Sequence, residues 1–197
     1  MEMSLLHRKD SLVLTTIEVI DELGIQGLST REIAKRQGIS EATLFRHYRT
    51  KNELLMAVLD FYSQYDSDIV KSIHLKNLLG REAVFFWMNS YVEYYENYPA
   101  ITSITQVYDV LTNDESLSEK INEIFNYRNN SLAELVEQAK EAGHIKTELS
   151  TQSIVDTIIG LKMFNCLKWR LKKFDFSLKQ TTLSALTMIL DSISPGN

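Results

Sequence analysis

The chain has 197 residues, two prolines, seven glycines, a single cysteine (Cys166) and a formal charge of −5. That length is enough for one buried helical body and a small head, while one cysteine excludes an internal disulfide or a cysteine-rich metal site and fits a reducing cytoplasm. The longest apolar run, Ala83–Met88, falls far short of a bilayer span, and Met1–Leu6 is too short and too acidic for a signal peptide, so a soluble cytoplasmic protein without a membrane partner is expected.

With so little proline and glycine, and no alternating apolar–polar run to mark a hairpin, the pattern predicts an all-α fold of about nine helices. Leu12, Ile17, Ile20 and Leu23 give the first helix, Lys9–Leu23, an apolar face, and Gly24 ends it. The densest signal follows between Ser29 and Lys51, STREIAKRQGISEATLFRHYRTK. Ser29 with Glu32 three positions on spells a capping box. Ile33 and Ala34 face inward, and Gly38 supplies the left-handed angles of a helix end. Ser40 caps the next helix, and Thr50-Lys51-Asn52-Glu53 opens a third.

Helix starts this close leave room only for tight turns, the layout of a helix-turn-helix, whose second helix enters the major groove of DNA. That helix carries Glu41, Ala42, Thr43, Phe45, Arg46 and His47, with Leu44 and Tyr48 anchoring its buried side. Thr, Arg and His reach base edges or phosphates, and Ala and the Thr methyl can touch a thymine methyl. A helical hairpin that merely packs shows the same periodicity.

Downstream, Lys51 to about Ile73 holds neither proline nor glycine and reads as one continuous rod linking head to body. Gly80 and Pro99 bracket the next helix, and a further unbroken helix is expected from Pro99 to Leu111, since proline is tolerated in a first turn. Longer helices follow at Glu115–Ala142, Ser150–Lys173 and Ser177–Ser194, the last opened by a capping box with Gln180.

The in-register residues Gly24, Thr30, Ile33, Ala34, Gly38, Ile39, Ser40, Thr43, Leu44, Phe45, His47, Tyr48, Lys51 and Leu54 make the span from about Lys9 to Leu55 resemble the DNA-binding domain of the TetR-type (tetracycline-repressor-like) regulators. The resemblance implies a helix-turn-helix domain over residues 1–52 and a helical effector-binding and dimerisation domain over 53–197. It implies that Thr30 and Arg31 lie beside the DNA backbone, that Glu41, Ala42, Thr43, Phe45 and His47 form the reading helix, and that Lys51 meets a phosphate; Ser40 and Arg46 are further DNA-binding candidates. Phe45 departs from the family's usual tyrosine, removing a hydroxyl that could bond a phosphate. Ala42 replaces a frequent glycine, and Thr15 and Thr16 replace two small alanines.

Charge agrees with a DNA-facing head. From Ser29 to Lys51 six basic residues stand against two acidic ones, a net +4, which leaves −9 for the remainder. The body is rich in rings, and an aromatic stripe at helical spacing is usually core. The resemblance implies an effector cavity there, with Trp87, Met88, Tyr91, Tyr95, Tyr108, Phe125 and Phe164 as candidate lining and Asn122, Asn165 and Gln106 as polar anchors. Charged residues are largely absent from the inward stripes, so a mostly apolar or aromatic small molecule is expected. The last two helices, with apolar Ile154, Ile158, Met163, Phe164, Leu167, Leu183, Leu186 and Leu190 among others, either close the core or meet their own copy. The resemblance favours a homodimer that binds a palindromic double-stranded operator and is released by the effector, a repressor in the simplest case.

Nucleophile-elbow, phosphate-loop and H-E-x-x-H motifs are missing and the four histidines are scattered, so no catalytic residue, metal or cofactor is expected. The rival to a DNA-binding regulator is a repressor-like scaffold acting as a protein-binding adaptor or co-activator. The missing phenol at Phe45 is compatible with it and the basic head argues against it.

Overall fold

The structure, a computed structural model, describes residues 5–195, with side chains from Arg8 onward. Met1–Ser4, part of the stretch read above as too short for a signal peptide, lie outside the described residues, as do Gly196 and Asn197. Among the described residues every regular element is helical: α1 (Leu5–Leu23), α2 (Thr30–Arg36), α3 (Glu41–His47), α4 (Lys51–Ser63), α5 (Asp66–Leu75), α6 (Gly80–Asn97), α7 (Ser103–Gln106), α8 (Tyr108–Leu111), α9 (Glu115–Glu141), α10 (Thr151–Leu171) and α11 (Leu178–Ile193), with 3₁₀ turns at Ile25–Gly27 and Pro99–Thr102. No helix among them is long and apolar enough to cross a membrane.

The chain forms two compact units, one of residues 1–64 and 98–124, the other of 65–97 and 125–197. In the first, Leu12, Ile17, Ile33, Leu44, Leu54, Val58 and Leu59 make the core where α1, α2, α3 and α4 meet. Thr15 and Thr16 are buried there without orphaned hydroxyls. Thr15 accepts from the Gln37 amide (2.6 Å) and Thr16 donates to the Leu12 carbonyl (2.7 Å). Gln37 also accepts from the Ser11 hydroxyl (2.9 Å), so the polar positions of α1 become a clamp on the end of α2.

The helix starts follow their caps. Ser29, Ser40, Thr50, Ser150 and Ser177 each accept a hydrogen bond from the backbone N–H three residues on. Gly38, at φ 63°, makes the left-handed exit between α2 and α3.

Two expectations fail. The rod from Lys51 to Ile73 is broken at Gln64–Tyr65 into α4 and α5. Ser63 turns its hydroxyl back onto the Leu59 carbonyl (2.9 Å), and the last turn tightens so that Gln64 N–H reaches Phe61 O (3.4 Å). The helix from Pro99 to Leu111 is likewise fragmented into a 3₁₀ turn, α7 and α8. Thr102 and Ser103 donate to the carbonyls of Pro99 and Ala100 (both 2.7 Å), and hydroxyls at i→i−3 favour tight turns over an α-helix.

In the second unit, α6, α9, α10 and α11 bury Trp87, Met88, Tyr91, Val92, Leu132, Val136, Val155, Ile158, Leu186 and Leu190. Gly80, at φ 56°, opens α6 where a β-carbon would lie 1.9 Å from His144 Nδ1, so only glycine fits this approach.

Candidate nucleic-acid interface

Helix α3 is seven residues long and owes its orientation to two buried side chains, Leu44 and Tyr48, the latter at its C-cap. The Tyr48 ring also lies 5.3 Å from Lys9 Nζ, a cation–π contact that draws the start of α1 toward the end of α3. With Leu44 inward, Ala42, Phe45 and Arg46 are exposed, and Glu41, Thr43 and His47 half-buried. Phe45 is 40 % exposed, an aromatic ring left in water on the same helix.

Several of the named residues are already engaged. Thr30 donates to Glu41 Oε2 at 2.6 Å, tying the start of α2 to the start of α3. The Thr30 hydroxyl must exchange that partner before it can donate to a phosphate. Ser40 Oγ accepts from the Thr43 N–H (3.1 Å) and lies 3.0 Å from the Thr43 hydroxyl. Lys51 Nζ donates to the Leu28 carbonyl (2.9 Å), which pins the start of α4 beneath the turn before α2. An ammonium has three donors, so this bond leaves capacity for an anion.

The basic residues divide into two sets. Arg36 bridges Glu22 (2.8 Å) and Glu32 (2.9 Å) and is paired within the fold, while Lys35 lies 3.9 Å from Glu32 with its side chain largely in water. Arg31, Arg46, Arg49 and Lys51 are exposed. Burial lowers the pKa of His47 below its ordinary value, and the charges of Arg46, Arg8 and Lys9 lower it further. His47 therefore reports a locally positive field at the end of α3, to which the N-terminal helix contributes. Arg8 and Lys9 fell outside the window used to count the head's charge and were missed for that reason.

The effector candidates do not form one set. Trp87, Met88, Tyr91 and Tyr95 are buried together along α6. Tyr108 belongs to the other unit, edge-on to Tyr62 with ring centroids 6.0 Å apart. Phe125 and Phe164 are 50 % and 63 % exposed on α9 and α10. Of the proposed anchors, Asn165 is buried and donates to Thr182 (3.3 Å), while Asn122 and Gln106 are exposed. Three open grooves of about 460, 590 and 700 Å³ lie on the second unit, and none of these three is lined by the α6 side chains Trp87, Met88, Tyr91 or Tyr95.

The expectation that inward stripes lack charge is overturned. Asp66, Arg128 and Lys162 are the buried charged residues among those described, and all three meet the α6 rings. Arg128 binds Asp66 through Nε (2.7 Å) and Nη2 (2.9 Å), a bidentate pair. Tyr91 donates its hydroxyl to the same carboxylate (3.0 Å), and Arg128 Nη1 lies 3.4 Å from the Tyr95 hydroxyl. Lys162 Nζ sits 4.7 Å from the Trp87 ring centre and 4.4 Å from that of Tyr91. Burial, and secondarily Arg128, bring its pKa down to about 7.

Residues 12–58 match the family described as bacterial regulatory proteins, tetR family. The chain is 34% identical over 77 residues to the HTH-type transcriptional regulator PksA of Bacillus subtilis, spanning 39% of this chain and 38% of that protein. It is 23% identical over 138 residues to the nucleoid occlusion factor SlmA of Vibrio cholerae, 68% of this chain and 69% of that one. The fold resembles the transcriptional regulator FadR of Bacillus subtilis, solved in complex with stearoyl-CoA, with a TM-score of 0.80 at 19% identity over 93% of this chain and 98% of that one. Residues 12–58 thus carry a helix-turn-helix segment of the tetR family, and the all-helical fold around it resembles that of TetR-type regulators.

Proposed function

We propose that the protein is a ligand-responsive transcriptional regulator that binds a palindromic operator as a homodimer and, acting as a repressor, is released by a small effector. The observation that carries the DNA-binding part is the capped helix α3, held by Leu44 and Tyr48 and flanked by the exposed cations Arg31, Arg46, Arg49 and Lys51. DNA reading is assigned to residues 1–52, and effector binding and dimerisation to 53–197.

Dimerisation is assigned to α10 and α11. Ile158, Leu178, Leu186 and Leu190 are used up in the core, but Met163, Phe164, Leu167 and Leu171 remain outward on α10 and Met188 on α11. Leu171 is 74 % exposed. The α10 positions follow the i, i+1, i+4, i+8 spacing of one helix face, and an apolar face of this kind supports an isologous two-fold contact. Phe164 then serves the interface and not an effector cavity. In such a dimer two copies of α3 stand roughly 34–36 Å apart, one turn of DNA. The stearoyl-CoA complex of the similar FadR supports small-molecule binding within this fold. The similarity to a nucleoid occlusion factor favours, as second reading, a repressor-like scaffold with a role other than promoter control, such as a protein-binding adaptor.

The test is a salt titration of duplex binding with two variants. Lys51→Ala is expected to weaken all duplexes alike and lower the salt slope by about one. Thr43→Ala is expected to alter the preferred bases while leaving that slope unchanged. A Lys51→Ala slope equal to wild type removes the phosphate role of Lys51. Salt-insensitive binding with no duplex preferred replaces the regulator by the adaptor.

A further inference from the structure

The charge in the core of the second unit does not balance. Asp66 from α5 neutralises one cation, Arg128 of α9, through a bidentate pair. Lys162 of α10 is a second cationic group, and its ammonium meets the faces of Trp87 and Tyr91. Cys166, one turn further along α10, is a neutral thiol whose pKa burial pushes up to about 11. Tyr91 and Tyr95 of α6 complete the polar surroundings, the first donating to Asp66 and the second beside Arg128. A second cationic group, about half protonated at pH 7, is thus left without a carboxylate of its own in a ring-lined, desolvated place, where an unbalanced ion is expensive.

Lys162 and Arg128 keep 6 % and 7 % of their surface accessible while Trp87 has none, and Arg128 is already paired with Asp66, which leaves Lys162 as the cation without a carboxylate of its own. We propose that Lys162 is the anchor of the effector site and that the effector is a monoanionic carboxylate on an apolar or aromatic body, its head on the ammonium and its body against the α6 rings. This deepens the effector-responsive reading above and rests on it. A single negative charge balances the excess; a dianion such as phosphate overcompensates and adds its own desolvation cost. Asp66, Tyr95 and Arg128 stand two, three and four residues from the three points where the chain passes between the units, at 64/65, 97/98 and 124/125. A carboxylate that redistributes Arg128 between itself and Asp66 acts on the segments through which the chain leaves this unit.

The inference is tested on the full chain without DNA, so that its outcome is independent of operator recognition. Octanoate and benzoate are titrated against octanamide and benzamide, with inorganic phosphate as a further probe, at pH 8 in HEPES and in Tris. At least one carboxylate is expected to bind about tenfold or more tightly than its amide. Because a lysine near neutrality must be protonated to pair, binding is expected to take up about 0.9 proton at pH 8, read from the dependence of the heat on the buffer. Lys162→Met is expected to abolish the preference for carboxylate over amide. Tight binding by octanoate assigns a linear body and by benzoate an aromatic one. The proposal is overturned if neither carboxylate binds, if amides or phosphate bind equally well, if no proton is taken up, or if Lys162→Met keeps the preference.

Discussion

Replacing Lys162 by methionine keeps the stem that covers Trp87 and Tyr91 and removes the charge. The ordinary lysine value of 10.5 falls to about 7 in the folded chain, burial being the first cause and Arg128 the second. The unfolded chain therefore binds more protons than the folded one between these values, and this group makes stability rise with pH across that window. At pH 7 the difference amounts to roughly 4 kcal/mol of destabilisation. Contact with two ring faces returns about 1–2 kcal/mol of it. Lys162→Met is thus expected to be more stable than wild type by about 2–3 kcal/mol at pH 7, with the gap shrinking toward pH 9.5 as less proton binding separates the two states. Urea unfolding of both proteins at pH 7, 8 and 9.5 measures the gap directly, and other titrating groups cancel in the difference. A gap that is absent at pH 7, or the same at pH 7 and pH 9.5, refutes the reasoning that burial disfavours the charged form of this lysine.

Three further outcomes are expected. Asp66→Asn leaves Arg128 buried beside Lys162 without its carboxylate, and should cost about 3–5 kcal/mol in urea unfolding; a loss under about 1 kcal/mol contradicts the buried pair. Ser40→Ala removes the cap on α3 and should cost about 1 kcal/mol while weakening duplex binding; unchanged stability means the Thr43 N–H finds another acceptor without loss. Burial and then the charges of Arg46, Arg8 and Lys9 hold the His47 pKa down; on a duplex, phosphates offset that field, so His47 protonates more readily and affinity should rise from pH 8 to pH 6. Anisotropy titrations read this rise, and His47→Gln should flatten it; a rise of equal size in the variant assigns it elsewhere.

The helix-turn-helix was legible because its information is local. Ser29, Ser40 and Thr50 announce their helices by hydroxyls placed three residues before the N–H they accept, and Gly38 marks the exit from α2, which needs a positive φ. The breaks at Gln64–Tyr65 and within Pro99–Leu111 were not read, since no glycine or proline marks the first and Pro99 stands where a helix tolerates it. Hydroxyls of Ser63, Thr102 and Ser103 compete there for backbone carbonyls, and the same residues in a helix interior can equally point to water.

The buried charges were legible in principle. Asp66, Ile69 and Ile73 share one helical spacing, as do Ile124, Arg128, Leu132 and Leu135, and Ile158, Lys162, Asn165 and Trp169. All eleven are buried. Each charge occupies a position its neighbours mark as inward. Reading long charged side chains as a wet face by residue type alone hid the cluster. Phe125 and Phe164 were misjudged by the converse habit, as large rings read inward that the helix phase turns outward.

Selection of bound duplexes from a genomic library by the purified full chain tests the DNA-reading claim most directly. The expected result is enrichment of one two-fold symmetric site, with half-sites about 10 base pairs apart centre to centre and retention falling steeply with salt. Failure to enrich any duplex over scrambled competitors at low salt, while Ser40→Ala and wild type are both folded, contradicts it.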